Sequence, residues 1–220
     1  MNLKTSLRAA FAGLLAVTAI PGCSAKDDLF APRQACNTIL ATVLSVSGSS
    51  GFDKNGKDFD ILRELVGVAD LAAALDGGLE KATVFAPNDK AFYRLARSLG
   101  YRGSKRKEDK VFGFLAEGLG EDGLAGDLGV TLGDVVATIL LYHVSGDELS
   151  FEMLLEMEEV NTLADIEIGI DIKTRKGKHR IMLEDVGTKK DALIFNNLKD
   201  VPTCSGYIHA IKDVLVPVEL

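Results

Sequence analysis

The 220-residue sequence contains no tryptophan, and only 6% of its residues are aromatic. An aromatic platform for stacking bases or sugars is therefore not expected. Positive charge is also scarce, because 25 Lys and Arg residues face 32 Asp and Glu residues, for a formal net charge of -7. A nucleic-acid partner needs clustered positive charge, so the composition argues against one. With 47% hydrophobic and 26% charged residues, the chain is typical of a globular protein.

The N-terminal residues 1–22 are predicted to be a signal peptide. Lys4 and Arg8 provide a charged start, and residues 9–20 form an apolar stretch that is too short to span a bilayer. The protein is therefore expected to be exported, with residues 35–220 as its folded domain.

Two cleavage sites compete after this segment. Cleavage after Ala25 would give a soluble protein that is secreted or periplasmic. Cleavage before Cys23 would leave that cysteine as a site of lipid attachment, in a tetrad that resembles a bacterial lipoprotein box despite the unusual Pro21. We favour the second interpretation, in which residues 23–34 tether a lipid-anchored protein to the cell envelope. This anchor is the one membrane contact that the sequence predicts.

The remaining cysteines are Cys36 and Cys204, an even number in an exported and therefore oxidising setting. We predict that they pair in a disulfide bond, and the alternative is two buried free thiols. Neither cysteine has a plausible catalytic base beside it, and the sequence has no G-x-S-x-G motif. Nucleophilic catalysis is therefore not predicted.

The first half of the domain has helical periodicity, and the second half alternates with a period of two. Helices followed by strands indicate an α+β domain rather than an alternating βαβ fold. The predicted helices cover residues 36–46, 58–75 with a break near Gly67, 88–99, 109–119, 131–142 and 149–157. The predicted strands cover residues 83–85, 160–163, 166–173, 180–184, 193–196 and 207–216.

An abrupt strand-to-helix switch is predicted at TVFAPNDKAF, residues 83–92. Pro87 lacks an N–H group and disfavours helical backbone at the preceding residue, so the strand ends there. Asn88 is then placed to accept from the free N–H groups of the next helix, and Asp89 complements its dipole. The turn is thus explained as a folding device without catalytic chemistry.

Three separated motifs together indicate a family. Residues 83–92 (TVFAPNDKAF), 140–144 (LLYHV) and 206–217 (GYIHAIKDVLVP) resemble, in order and spacing, the signatures of the fasciclin (FAS1) family. The resemblance covers about residues 36–217. Ser205 and Tyr207 depart from the residues that the family often has, Asn and Val, and these departures affect local contacts rather than the fold.

The resemblance implies a wedge-shaped β-sandwich of short strands with a helical cluster packed on it. It implies a role in adhesion or extracellular interaction rather than catalysis, and no cofactor is expected. The expected partner is a cell-surface or extracellular-matrix protein or glycan, and the protein is expected to be a monomer. It also places Tyr142 and His143 in a region implicated in adhesive contacts. Because some relatives hold pigments in a hydrophobic groove, a carrier of an apolar ligand such as a pigment or lipid is the alternative function.

His143 and His209 are the most conspicuous polar residues of the sequence. A proton-transfer or metal-binding role for the pair would revive a third hypothesis, an unrecognised hydrolase. No third ligand is spaced to join them, so we favour core histidines whose ring nitrogens bond to backbone groups. No metal site is predicted.

Two basic clusters stand out against the acidic composition. A polyanionic partner is the functional interpretation, and solvated loops are the alternative. The first cluster comprises Arg102, Lys105, Arg106 and Lys107. The second, around a predicted hairpin tip, comprises Lys173, Arg175, Lys176, Lys178 and Arg180.

Two further motifs lack the neighbouring elements or residues that their usual function requires. Residues 118–123 fit G-x-G-x-x-G but follow a helical pattern instead of a strand, which argues against a dinucleotide site. Residues 53–60 carry several carboxylates, but an EF-hand would need glycine in place of Asp58 and an acid or amide in place of Lys57. We therefore prefer a polar turn, with Asp58 or Asp60 capping the next helix, to a calcium loop.

Overall fold

The computed structural model describes residues 36–47, 51–187 and 191–217. The predicted signal peptide, residues 1–22, and the predicted tether with Cys23 lie outside the described residues. All helices and strands given below belong to the unit Asn37–Leu220.

Several of the helices begin where the sequence supplies a side-chain cap. Thr38 accepts from the N–H of Ala41, Asn88 accepts from the N–H of Ala91, and Thr131 and Asp134 form a reciprocal capping box. The helices are α1 (Ile39–Val46), α2 (Asp60–Val68), α3 (Asp89–Ser98), α4 (Glu108–Leu119), α5 (Leu124–Leu128), α6 (Leu132–Tyr142) and α7 (Phe151–Leu154), with a π-helical turn at Ala74–Gly78.

The strands form two four-stranded sheets, with the orders β2-β1-β8-β7 and β3-β4-β5-β6. An isolated bridge between Ile194 and Ile211 links the end of β6 to the end of β8. Helices together with two small sheets confirm the predicted α+β class. The strands are β1 (Ala82–Pro87), β2 (Val144–Ser145), β3 (Glu159–Asn161), β4 (Glu167–Arg175), β5 (Lys178–Glu184), β6 (Ala192–Leu193), β7 (Val201–Pro202) and β8 (Gly206–Ile211).

The centre of the first sheet is a parallel pair of strands that are far apart in sequence. β1 and β8 run side by side from the pair Ala82–Gly206 to the pair Pro87–Ile211. Gly206 is required at the start, because its φ is 142° and a Cβ there would overlap the carbonyl oxygen of Ala82. The first and third signature segments therefore lie in direct contact.

Alternation along β1 divides the apolar interior into two clusters. Val84 and Ala86 face one cluster with the helices, whereas Phe85 faces the other with the second sheet. All six residues of β1 are buried, as expected for a strand covered on both faces. Tyr142 and Ile211 join Phe85 in the second cluster, so all three signature segments meet in the interior, as the resemblance implies.

The helix predicted over 58–75 is interrupted after Val68, next to the break expected near Gly67, because Asp70 takes a left-handed φ of 54°. Other local predictions differ from the structure. Residues 120–130, for which no helix is predicted, contain the short helix α5. The last predicted strand ends at Ile211 instead of residue 216, because the N–H groups of Leu215 and Val216 donate to side chains instead of a strand.

In the parts of the chain that the structure describes, no individual helix combines the length and hydropathy of a membrane span. One pair, Glu108–Leu128 with Leu132–Tyr142, meets both criteria jointly and is bent by 96°.

Candidate functional site

The second signature places His143 at the end of α6, inside the protein. Its side chain lies between the carbonyl oxygen of Ile139, 2.8 Å from Nδ1, and the backbone nitrogen of Leu215, 3.0 Å from Nε2. Since the N–H of Leu215 donates, Nε2 accepts and Nδ1 carries the proton. Burial lowers the pKa of His143 to about 4. This imidazole is therefore neutral at physiological pH and has no free nitrogen for a metal or a substrate.

His209 on β8 also has both ring nitrogens hydrogen-bonded to the backbone. Its Nε2 donates to the carbonyl oxygen of Leu149 at 2.9 Å, and its Nδ1 accepts from the N–H of Asp200 at 3.2 Å. Burial lowers its pKa as well. Its ring stacks on Phe85, with centroids 6.0 Å apart. Both histidines thus act as core residues that join backbone segments, which agrees with the interpretation favoured from the sequence.

Tyr142, the other residue of the predicted adhesion motif, is also fully buried. Its hydroxyl lies 3.5 Å from the carbonyl oxygen of Glu167. Burial, and secondarily the Asp185 carboxylate, raises the pKa of Tyr142 to about 12. Tyr142 and His143 therefore present no side chain to a partner, and any influence on adhesion would act by shaping the surface around them.

The hairpin of β4 and β5 carries the second basic cluster on one face. Antiparallel register places Lys173 opposite Arg180 and Arg175 opposite Lys178. Opposed residues share a face, as do residues two apart on one strand, so these four cations project together. The neighbouring pair Thr174–His179 occupies the other face, where an oxygen–nitrogen contact of 3.0 Å joins the two side chains.

The end of this hairpin is a tight turn that exposes its cations. Lys176 and Gly177 both have positive φ, 51° and 72°, as a two-residue hairpin loop requires. Residues 172–180 are all exposed. We name Lys173, Arg175, Lys176, Lys178 and Arg180 the basic tip.

The basic tip is mostly uncompensated. Lys173 binds Asp171 at 2.9 Å and approaches Asp191 at 3.9 Å. The other four cations of the basic tip form no ion pair with any residue that the structure describes. The first basic cluster, residues 102–107, is an exposed loop before α4, in a different part of the fold.

Cys36 and Cys204 are both disulfide-bonded, in agreement with the predicted pairing. The N–H of Cys204 also donates to the carbonyl oxygen of Asn37 at 2.9 Å. Residues 118–123 join α4 to α5, so a helix precedes this G-x-G-x-x-G motif and the strand of a dinucleotide site is not there.

The sequence interpretation missed a second polar feature. Asp58 lies just before α2, and Asp89 and Glu108 are the first residues of α3 and α4. Each of the three is only 2% exposed. They offer carboxylate oxygens that lie within 4.8 Å of one another. We name Asp58, Asp89 and Glu108 the carboxylate cluster; the available sequence clue was an acidic residue at the start of successive helices.

Two oxygens of the carboxylate cluster accept hydrogen bonds from the backbone, and three others have no donor within the described regions. Asp89 Oδ1 accepts from the N–H of Ile61 at 3.0 Å, and Glu108 Oε2 accepts from the N–H of Lys54 at 2.9 Å. Among the described residues, Asp58 Oδ1, Asp89 Oδ2 and Glu108 Oε1 are buried without a hydrogen-bond donor. Burial raises the pKa of all three carboxyl groups, that of Asp89 to about 9.

Comparison with known proteins agrees with this fold. The sequence model of the Fasciclin domain matches residues 133–217, a stretch that contains the second and third signature segments. Residues 133–217 of the chain are thus similar in sequence to the Fasciclin domain. No curated protein matches it.

Among solved structures, the chain is similar to a FAS1 domain pair from the insect cell adhesion molecule fasciclin I. The identity is 20% and the TM-score is 0.44, over 74% of this chain and 46% of that one. The chain thus spans less than half the length of that domain pair.

Proposed function

We propose that this protein is an exported FAS1 module, tethered to the cell envelope, that binds a polyanionic glycan on a cell surface or in the extracellular matrix. The observation that supports this function is the basic tip, where four cations share the solvent face of one hairpin. Like charges opposite each other destabilise a hairpin. An anionic partner would relieve that repulsion.

The charge distribution of the protein supports a contact at this place. The whole chain has a formal net charge of -7, so the basic tip is a local concentration of positive charge on an acidic protein. The basic tip projects as an exposed turn, where a ligand reaches it without moving the core. Arginine and lysine together suit sulfate and carboxylate groups, because arginine binds them bidentately and lysine as a point charge.

Catalysis has no support at the sites described above. The two histidines that a hydrolase would need are buried, and their ring nitrogens bond to the backbone. The apolar-carrier alternative gains no specific support either. The exposed large hydrophobic residues of the described regions are spread over different elements, as with Met153 on α7 and Val186 beyond β5.

Binding to immobilised heparin, as a polyanionic glycan, tests the contact. The double change Arg175→Glu with Lys178→Glu should weaken binding roughly tenfold or more and make the residual binding less sensitive to salt. A matched control, Lys105→Glu with Arg106→Glu, makes the same change of charge in the other exposed basic cluster and should bind nearly as well as the unchanged protein. Equal losses in both variants, or none in the first, would contradict the proposal.

The tether is tested separately in cells. With Cys23→Ser, the protein should move from the membrane fraction to the soluble fraction, because the predicted acceptor of the lipid is lost. Unchanged membrane association would argue against lipid attachment at this residue.

A further inference from the structure

The carboxylate cluster brings three buried acidic side chains close together inside the protein. Taking a carboxylate out of water is costly unless a cation or several hydrogen bonds replace the water. Arg63 on α2 is already engaged, because its guanidinium binds Asp60 at 3.0 Å and Glu64 at 3.0 Å. No lysine or arginine in the described regions pairs with Asp58, Asp89 or Glu108.

Helix dipoles explain part of this arrangement. Negative side chains are favourable at helix N-termini, where α2, α3 and α4 begin. The dipole does not supply hydrogen-bond donors to the three oxygens that have none in the described regions. Each of these oxygens belongs to a residue that is only 2% exposed. A side-chain hydrogen bond between Asp58 and Asp89 can satisfy these two residues when one of them is protonated, whereas Glu108 Oε1 has no donor among the described residues. A buried oxygen without a donor points to a water molecule or an ion beside it.

We propose that Asp58, Asp89 and Glu108 bind one Ca²⁺ ion through these oxygens. The spacing suits the proposal, because ligand oxygens within 4.8 Å of one another can all reach a common ion. Calcium takes six to eight oxygen ligands at about 2.3–2.6 Å in flexible geometry, which three carboxylates, each able to bind through one or both oxygens, can begin to fill. Magnesium demands a stricter octahedron and keeps several waters, so it suits this buried site less well.

The adjacent loop is built to hold the site and to complete it. Asp60 accepts from the N–H of Asp53 at 3.1 Å and from Arg63 at 3.0 Å. It therefore anchors the loop, and each of its two oxygens already accepts a hydrogen bond. Asp53 is exposed, and its carboxylate lies within 4.8 Å of an Asp58 oxygen. Asp53 and water are therefore the expected further ligands on the solvent side.

This inference reverses the preference for a polar turn that the sequence suggested. Residues 53–60 fail as an EF-hand because the missing ligands do not come from the same loop. They come from Asp89 and Glu108, at the starts of two later helices. The calcium site is independent of the basic tip, so either proposal can fail without the other.

Calorimetric titration of the purified protein with CaCl₂, after removal of metals with a chelator, tests the inference. We expect one Ca²⁺ per chain and a melting temperature that rises with the calcium concentration. Mg²⁺ should bind more weakly. Absence of calcium binding would overturn the site, and Mg²⁺ binding as tight as that of Ca²⁺ would overturn its assignment to calcium.

Two isosteric variants locate the ion. Asp58→Asn and Glu108→Gln each remove one charge and should weaken calcium binding roughly tenfold or more, because ligand charge sets affinity. The Gln side chain can still accept from the N–H of Lys54, so the second variant remains informative should the first fail to fold.

The chain offers a matched control in its other acidic cluster, Asp171, Glu184 and Asp191, which is more exposed. Asp191→Asn should leave calcium affinity and the calcium-dependent rise in melting temperature unchanged. Loss of binding in this control, or its retention in both cluster variants, would show that the ion lies elsewhere and would refute the inference.

Discussion

The histidine pair and the carboxylate cluster are buried to a similar degree but differ in how their polar atoms are satisfied. Every ring nitrogen of His143 and His209 has a backbone partner. Each side chain of the carboxylate cluster leaves one oxygen without a donor in the described regions. A buried polar group whose partners are all within the chain serves the fold, whereas one that lacks them points to a ligand. In this protein, the residues that looked chemical in the sequence are structural, and the candidate site lies elsewhere.

The largest expected effect is the loss of the His143 ring. His143→Leu leaves the N–H of Leu215 and the carbonyl oxygen of Ile139 without this partner inside the core, and it should lower the free energy of unfolding by about 3–5 kcal/mol. Urea denaturation measures the change. His143→Gln, which retains a donor and an acceptor, should recover part of the loss. A loss below about 1 kcal/mol with Leu would mean that these hydrogen bonds matter little.

Acid should destabilise the protein through the same residue. The pKa of His143 is about 4 in the folded state, against roughly 6.5 when unfolded. The unfolded chain therefore binds the proton first, so this contribution to stability is complete above pH 6.5 and is lost as the pH falls towards 4. The loss is about 3 kcal/mol in total.

The difference in the free energy of unfolding between the unchanged protein and His143→Gln isolates the contribution of His143 protonation. Denaturation at several pH values should show a steeper decline for the unchanged protein between pH 6.5 and 4. Parallel curves for the two proteins would contradict the assignment of a neutral, buried imidazole.

The smallest expected effect sharpens the contrast between the two sites. Asp89→Asn keeps an oxygen for the N–H of Ile61 and, because the raised pKa of about 9 keeps Asp89 protonated at neutral pH, changes no charge in the metal-free carboxylate cluster. In the presence of a chelator it should change the free energy of unfolding by no more than about 1 kcal/mol. A loss of several kcal/mol in urea would show that the Asp89 carboxyl group stabilises the metal-free protein, and the contrast with the histidines would then disappear.

Local features of the fold could be predicted from the sequence. Pro87 and Asn88 specify the switch from β1 to α3, and Thr131 with Asp134 specifies the start of α6, because these effects act over three or four residues. The basic hairpin was equally accessible, since alternation and a Lys-Gly turn define it. The family resemblance supplied the meeting of the three signature segments.

Features that depend on distant partners could not be predicted. No residue near Ala82 in the sequence indicates that it pairs with Gly206. The end of β8 depends on His143 and Asp185, whose side chains accept from the backbone N–H groups of Leu215 and Val216. The carboxylate cluster was missed for the same reason. Its three members come from separate segments, and each alone reads as an ordinary acidic residue at the start of a helix.

The parallel pairing of β1 with β8 has a consequence for how the protein matures. The centre of the first sheet needs Gly206–Ile211, which is synthesised long after its partner strand β1. Until that segment emerges, β1 can pair only with the two residues of β2. The first sheet of a nascent chain should thus stay incomplete until β8 has been synthesised, and a premature stop before Gly206 should yield a product that proteases degrade.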